Sequence, residues 1–124
     1  MKLLLDTHAY LWWLAGDRRL PARSRAAIES SDSAVFVSAV VIWEAGIKLA
    51  LGKLSIRDLD LVEEIEASGF LELPIQARHA QRAASLPPHH HDPFDRLLIA
   101  QAEIESLTLV SSDAVFRAYG VALL

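Results

Sequence analysis

The feature that most constrains this chain is an alternation of short, mostly apolar runs with longer helical patterns. Residues 2–5, 34–37 and 107–110 are runs of this kind, rich in aliphatic and β-branched side chains. Continuous apolar strands are typical of sheets buried on both faces, and strands that alternate with helices are typical of parallel sheets. The pattern therefore predicts an α/β fold, a three-layer sandwich in which helices flank a central, mainly parallel sheet.

The order of the elements follows from the same pattern. Predicted strands cover residues 2–5, 34–37, 70–73, 107–110 and 121–124. Predicted helices cover residues 9–14, 21–30, 39–51, 57–68, 76–86, 93–106 and 114–119. The 124 residues, of which 52% are hydrophobic, have the size and composition of one ordinary domain. We therefore expect a single domain over residues 1–124.

The composition excludes several kinds of chemistry. The chain has no cysteine, which rules out disulfides, thiolate metal ligands and cysteine nucleophiles, and which fits a reducing cytosol. No apolar stretch approaches the ~20 residues of a membrane span, so we expect a soluble, cytoplasmic protein with no membrane partner. The net charge of −4 is unusual for a nucleic-acid enzyme, because phosphate contacts normally come from a basic surface. Either basic residues cluster locally or a bound cation offsets an acidic site.

Acidic and hydroxyl side chains follow three of the predicted strands. Asp6 comes directly after the first strand and Ser38 after the second, while Ser111, Ser112 and Asp113 follow the strand at 107–110. Because the carboxyl ends of parallel strands share one edge of a sheet, these side chains are expected to converge there. Asp6 and Asp113 have a structural alternative, since Asp at a helix start caps the first-turn N–H groups. The sequence leaves both interpretations open.

Helical segments supply two further candidate carboxylates. Glu44 lies in a segment that is apolar on most faces, where a charged group needs a partner or a cation, although an ordinary i,i+4 pair with Lys48 is the alternative. Asp92 followed by Pro93 is typical of an N-cap before the first helical position, so we assign Asp92 a structural role. Asp95 then lies in the first turn, where the helix dipole favours a carboxylate, and it is the better candidate ligand.

Carboxylates gathered at one site predict a bound divalent cation. Without a cation the like charges repel one another, and the pKa of at least one group has to rise. Hard oxygen ligands select Mg²⁺ or Mn²⁺, and one or two such ions are able to activate water for attack on a phosphodiester. The candidate catalytic and metal-binding residues are Asp6, Glu44, Asp95 and Asp113.

Five motifs, spread over almost the whole chain, carry a resemblance to a known family. They are Leu4-Leu5-Asp6-Thr7-His8; Val37-Ser38-Ala39 with Trp43-Glu44; Gly52-Lys53-Leu54; the run from His90 to Ala102; and Ser111-Ser112-Asp113 with Phe116 and Tyr119. In this order and spacing they resemble the PIN domains, in particular the VapC toxin nucleases of the VapBC toxin-antitoxin systems.

The resemblance implies a PIN fold, Mg²⁺- or Mn²⁺-dependent endoribonuclease activity, neutralisation by a small antitoxin, and commonly a homodimer. It carries the acidic set over onto Asp6, Glu44, Asp95 and Asp113. Thr7, Ser38 and Ser112 match hydroxyl positions that support the metal or its waters. His91 is a departure, because relatives often have Arg there, and a histidine at a phosphate contact is more sensitive to pH.

Other residues have an ordinary interpretation beside a functional one. Lys48, Lys53 and Arg96 are candidates for contacts with substrate phosphate, and plain solubility is the alternative for each. The histidines at 89–91 are able to bind a transition metal, but a His-rich loop without soft ligands nearby is more often a solvated connection, and we do not assign them as ligands. Trp12 and Trp13 on the first helix are either core residues or anchors for a partner.

Other classes of function share parts of this pattern. A catalytically inactive PIN-like module that binds RNA or protein is one alternative, although a complete acidic quartet repels RNA in the absence of metal. A metal-dependent DNA nuclease or phosphatase is another, because the acidic chemistry is the same. A transfer RNA substrate is an expectation by family analogy only.

Overall fold

The computed structural model describes residues 1–52 and 59–124, and these residues form an α/β fold around a parallel sheet. The strands are β1 Lys2–Leu5, β2 Ala34–Ser38, β3 Leu71–Leu73 and β4 Thr108–Val110. Their order across the sheet is β3-β2-β1-β4, and every neighbouring pair is parallel. The predicted fold class is confirmed, with β1 inside the sheet and paired on both sides.

Helices connect the strands and follow the predicted segments closely. They are α1 Thr7–Ala15, α2 Ala22–Glu29, α3 Ala39–Ala50, α4 Leu61–Ala67, α5 Ala77–Ser85, α6 Pro93–Glu105 and a 3₁₀ helix Ala114–Tyr119. The helix α4 was predicted from residue 57, and residues 57 and 58 lie outside the described residues. In the structure the Asp60 side chain caps α4 by accepting from the N–H groups of Val62 and Glu63. Across the described residues, no helix has both the length and the hydropathy that a membrane span requires.

The predicted fifth strand, at residues 121–124, is wrong as an extended strand. The segment makes one parallel bridge, Leu109 with Leu123, beside β4. Leu109 donates its N–H to the Ala122 carbonyl and accepts from the Leu124 N–H, both at 2.8 Å. Residues 121–124 follow a turn at Gly120, where φ is +67°. They pair with β4 through this single bridge and do not form a longer ladder.

Strand β1 shows where the core lies. Leu3, Leu4 and Leu5 are all fully buried, and successive residues of a strand point to opposite faces of the sheet. Both faces of β1 are therefore covered, as the continuous apolar run predicts. Burying one Leu side chain contributes about 1.5–3 kcal/mol, so this short strand anchors the sheet and fixes the position of Asp6 at its end.

Candidate active site

Five carboxylates from four separate parts of the chain line one pocket at the carboxyl edge of the sheet. We call it the acidic pocket, and its volume is about 190 Å³. Its lining residues are Asp6, Thr7, His8, Glu44, Lys48, Asp92, Asp95, Asp113 and Phe116. The structure thus brings together all four acidic residues selected from the sequence. They come from the end of β1, from α3, from α6 and from the segment after β4.

Asp6 joins the central strand to the pocket. Its backbone N–H donates to the Val110 carbonyl of β4 at 3.1 Å, which continues the ladder between β1 and β4. Its Oδ1 accepts from the Ala9 N–H at 2.8 Å, so Asp6 is the N-cap of α1 and also lines the pocket. Burial raises the pKa of the Asp6 carboxyl, while hydrogen bonds from the Ser111 side chain and Ala9 N–H act in the opposite direction.

Glu44 is held in the pocket by two neighbours. The side chain of this α3 residue is buried, and the Thr7 hydroxyl donates a hydrogen bond to Oε1. Lys48, one turn later on α3, places its Nζ 2.9 Å from Oε2. The i,i+4 pair considered from the sequence is therefore present, and it lies inside the pocket. Lys48 balances one of the negative charges there.

Asp92 and Asp95 do different things at the start of α6. Asp92 Oδ1 accepts from the N–H groups of Phe94 at 2.8 Å and Asp95 at 3.1 Å, so it is the predicted N-cap. The Asp95 side chain instead makes a 2.8 Å contact between its Oδ2 and the Nε2 of His90. Burial raises the pKa of Asp95 to about 6. The charges of Asp92 and Glu44 act in the same direction, and the hydrogen bond with His90 opposes them.

Asp113 is the most exposed member of the acidic set. Its Oδ1 accepts from the Val115 N–H at 3.0 Å and caps the 3₁₀ helix. Its own N–H donates to the Ser111 Oγ at 3.0 Å. Asp113, like Asp6, therefore combines a capping role with a place in the pocket, and the two interpretations drawn from the sequence are compatible.

The hydroxyl residues selected from the sequence lie in three different settings. Thr7 contacts Glu44 in the pocket. The Ser38 Oγ accepts from the Val40 N–H, and this buried side chain caps α3 outside the pocket lining. Ser112, the serine selected for a supporting role, is exposed, whereas its neighbour Ser111, which the sequence also places at this edge, acts on the pKa of Asp6.

The three basic residues considered for contact with substrate phosphate lie in different settings. Lys48 lines the pocket in its pair with Glu44, and Lys53 lies outside the described residues. Arg96 points its guanidinium at backbone carbonyl groups, those of Ala83, Leu86, Pro87 and His90. These contacts occupy both terminal nitrogens, so the structure favours a structural role for Arg96 over the predicted contact with phosphate.

The donor set of the pocket fits a hard divalent cation. The carboxylates supply oxygen ligands, which Mg²⁺ and Mn²⁺ prefer. Among the described residues that line the pocket, Lys48 is the one Lys or Arg beside five carboxylates, so negative charge is in excess there. Burial raises the pKa values of Asp6 and Asp95, and a positive charge nearby would act in the opposite direction. Nearby, the ligand atoms of His90, Asp92 and Asp95 lie within 4.8 Å of one another.

Comparisons with known proteins agree with this geometry. The family model described as PIN domain matches residues 3–122. Ribonuclease VapC22 of Mycobacterium tuberculosis (strain ATCC 25618 / H37Rv) is 32% identical over 125 residues, which cover 94% of this chain and 91% of the relative.

Solved structures resemble the fold at lower identity. VapBC2 from Rickettsia felis bound to a DNA fragment from their promoter has a TM-score of 0.72 and 16% identity, and the match covers 100% of this chain and 98% of that chain. A toxin-antitoxin complex from Klebsiella pneumoniae has a TM-score of 0.69 and 18% identity, with 98% and 95% covered.

Proposed function

Because the chain belongs to the PIN domain family, we propose that it is a metal-dependent endoribonuclease, the toxin of a type II toxin-antitoxin pair. The observation that carries this proposal is the acidic pocket, in which carboxylates from four separate segments meet. The 32% identity to a protein named as a ribonuclease supports RNA as the substrate class. The proposal treats residues 1–124 as a single domain.

Asp6, Glu44, Asp95 and Asp113 are the residues that would hold the metal, and we propose Mg²⁺ or Mn²⁺ because all four are hard oxygen donors. When bound, such a cation supplies Lewis-acid chemistry, which lowers the pKa of a water and offsets the charge of a phosphodiester. The excess of negative charge in the pocket supports this assignment, since RNA would otherwise be repelled there.

The other side chains of the pocket prepare this site. Thr7 donates to Glu44 and so fixes the orientation of its carboxylate. Lys48 pairs with the second oxygen of Glu44 and brings a positive charge to the rim. His8 is exposed at the pocket and stacks on Trp12 with ring centroids 5.5 Å apart, which makes it a further candidate for substrate contact.

A small antitoxin is the proposed partner, and a homodimer the proposed assembly, both working in the cytoplasm where the RNA is. The toxin-antitoxin complexes among the similar structures support a partner of this kind. Trp12 and Trp13, the anchors suggested by the sequence, are half-buried and pack against the core. Trp43 on α3 is the exposed tryptophan, at 60%.

The test is a cleavage assay with the purified protein on RNA, single-stranded DNA and a phosphomonoester, in Mg²⁺, Mn²⁺ or EDTA. We expect internal cleavage of RNA that needs the metal and that Asp6→Asn removes. Cleavage of DNA or phosphomonoester alone would move the function to the alternative nuclease or phosphatase class. RNA binding without turnover in any metal would contradict the proposal in favour of a binding module.

A further inference from the structure

The loop between α5 and α6 is held by one guanidinium group. Arg96 Nη2 donates to the carbonyls of Ala83 and Leu86, both at 2.8 Å. Its Nη1 donates to the carbonyls of Pro87 at 2.9 Å and His90 at 3.1 Å. One side chain thus fixes four carbonyls along the connection from the end of α5 to the residues just before α6.

Tyr119, from the 3₁₀ helix, closes the same loop from another side. Its hydroxyl donates to the Pro87 carbonyl at 2.9 Å and accepts from Arg96 Nη1 at 3.4 Å. The ring of His89 meets the Tyr119 ring edge-on, with centroids 5.2 Å apart. We call Arg96, Tyr119 and the carbonyls that they bind the Arg96 clamp.

His90 is the residue that connects the clamp to the acidic pocket. Its carbonyl is bound by Arg96, and its Nε2 lies 2.8 Å from Asp95 Oδ2. The two neighbouring histidines, His89 and His91, are exposed, whereas the His90 side chain is half-buried. The histidines of the loop are therefore not equivalent, although nothing in the sequence singles out His90.

We propose that His90 is a positioning residue of the active site, which orients the Asp95 carboxylate for the cation, and that the Arg96 clamp holds His90 in place. The inference rests on the proposed function, because it assigns Asp95 as a metal ligand. Carboxylates that bind metals are commonly oriented by hydrogen bonds from neighbouring groups, and losing such a partner typically costs 10- to 100-fold in metal affinity or activity.

The test measures Mn²⁺ binding by calorimetry, with MnCl₂ as the probe. His90→Leu keeps a branched side chain but loses the N–H donor, and we expect its dissociation constant to rise by about 10- to 100-fold. His90→Gln places an amide N–H where Nε2 was and should recover most of the affinity. His91→Leu, on the exposed neighbour, is the matched control and should bind Mn²⁺ as the parent does. Melting in EDTA checks that each variant is folded.

Tyr119→Phe tests the clamp itself, because it removes the hydroxyl that binds the Pro87 carbonyl but leaves His90 unchanged. It should weaken Mn²⁺ binding in the same direction as His90→Leu and by less. Parental affinity in Tyr119→Phe would overturn the role of the clamp, and parental affinity in His90→Leu would overturn the positioning role. If the parent itself binds no Mn²⁺, the proposed function fails as well. If the parent and all of its variants bind Mn²⁺ equally tightly, only the positioning role of His90 and the clamp fails.

Discussion

Asp95 and Arg96 are neighbours on α6, and they belong to two opposite kinds of polar cluster. Adjacent residues of a helix point about 100° apart, so one faces the acidic pocket and the other the Arg96 clamp. In the pocket like charges converge, and burial raises the pKa of both Asp6 and Asp95. In the clamp the Arg96 guanidinium donates hydrogen bonds to four carbonyl oxygens at 2.8 to 3.1 Å.

The difference separates a site whose converging charges a cation would offset from a site whose polar groups are satisfied within the chain. The pocket carries an electrostatic cost that a cation relieves, so its residues are expected to matter most for activity. The clamp satisfies its hydrogen bonds internally, so its residues are expected to matter most for stability. A pocket variant that mainly lowers stability, or a clamp variant that mainly lowers activity, would contradict this distinction.

The largest expected effect is on cleavage in Asp95→Asn. The variant loses an anionic ligand at nearly constant shape, and we expect metal-dependent RNA cleavage to fall by at least about 10²-fold, the scale of a lost electrostatic contact in an active site. Its melting temperature in EDTA should be unchanged or slightly raised, because one buried charge is removed. The measurement is the cleavage rate at saturating Mn²⁺ beside thermal melting in EDTA.

Asp92→Asn is the matched control three residues away. Asn caps helices about as well as Asp, so most of the stability and activity should remain. An inactive Asp92→Asn beside an active Asp95→Asn would reverse the two assignments. Normal cleavage in both variants would contradict the acidic-site mechanism.

Arg96→Lys probes the clamp, and its main effect should be on the free energy of unfolding. A lysine ammonium lacks the planar fork that reaches several carbonyls at once, so we expect a loss of about 2–4 kcal/mol in urea denaturation. Arg82→Lys on α5 is the control, since that arginine makes one exposed pair with Glu103 at 2.8 Å and should unfold close to the parent. Equal midpoints in the two variants would remove the distinction between clamp and surface pair.

Metal should stabilise the fold through the pocket. A ligand that binds only the native state adds RT ln(1 + [L]/Kd), which is about 2.7 kcal/mol at a hundredfold excess over Kd. The melting temperature of the parent should therefore be higher in Mg²⁺ or Mn²⁺ than in EDTA. For Asp95→Asn the two melting temperatures should differ little. A parent that melts identically in millimolar metal and in EDTA would be evidence against the site.

Lys48→Met should have the smallest effect on stability. The pair that it breaks is an i,i+4 contact on α3; such a pair contributes about 0.2–0.5 kcal/mol on an exposed helix surface, but Glu44 is buried, so we expect a loss of about 1 kcal/mol. Urea denaturation in EDTA measures the change. A loss as large as that of Arg96→Lys would mean that the pocket, like the clamp, supports the fold through its internal contacts.

The positions of the strands and the edge at which the site lies were accessible from the sequence because both follow from apolar patterning. Continuous apolar runs predict buried parallel strands, and parallel strands bring their following residues to one edge. The N-cap at Asp92 was also accessible, since Asp followed by Pro is a local signal that the structure confirms. These predictions needed no knowledge of how helices pack.

What the sequence left open concerns directions that only packing decides. Arg96 was a candidate for contact with phosphate because its charge is visible in the sequence, whereas the carbonyls that it binds lie in a loop whose path is not. Trp43 is exposed while Trp12 and Trp13 are half-buried, although all three lie in apolar helical segments. Ser111 and Ser112 are adjacent, and the path of the chain after β4 decides which of them acts on Asp6.

The pairing of β1 with β4 has a consequence for the order in which this protein becomes active during translation. Asp6 leaves the ribosome before Asp95, Asp113 and the strand that binds the Asp6 backbone, which come from the last third of the given sequence. A nascent chain that has exposed only β1 to α5 therefore has one edge of β1 unpaired and half of its acidic set missing. Contacts between such distant segments form late in folding, because closing the long loop comes first. Under the proposed function, the polysome carries no complete nuclease until α6 and β4 have been made, and a cognate antitoxin has that interval in which to be present.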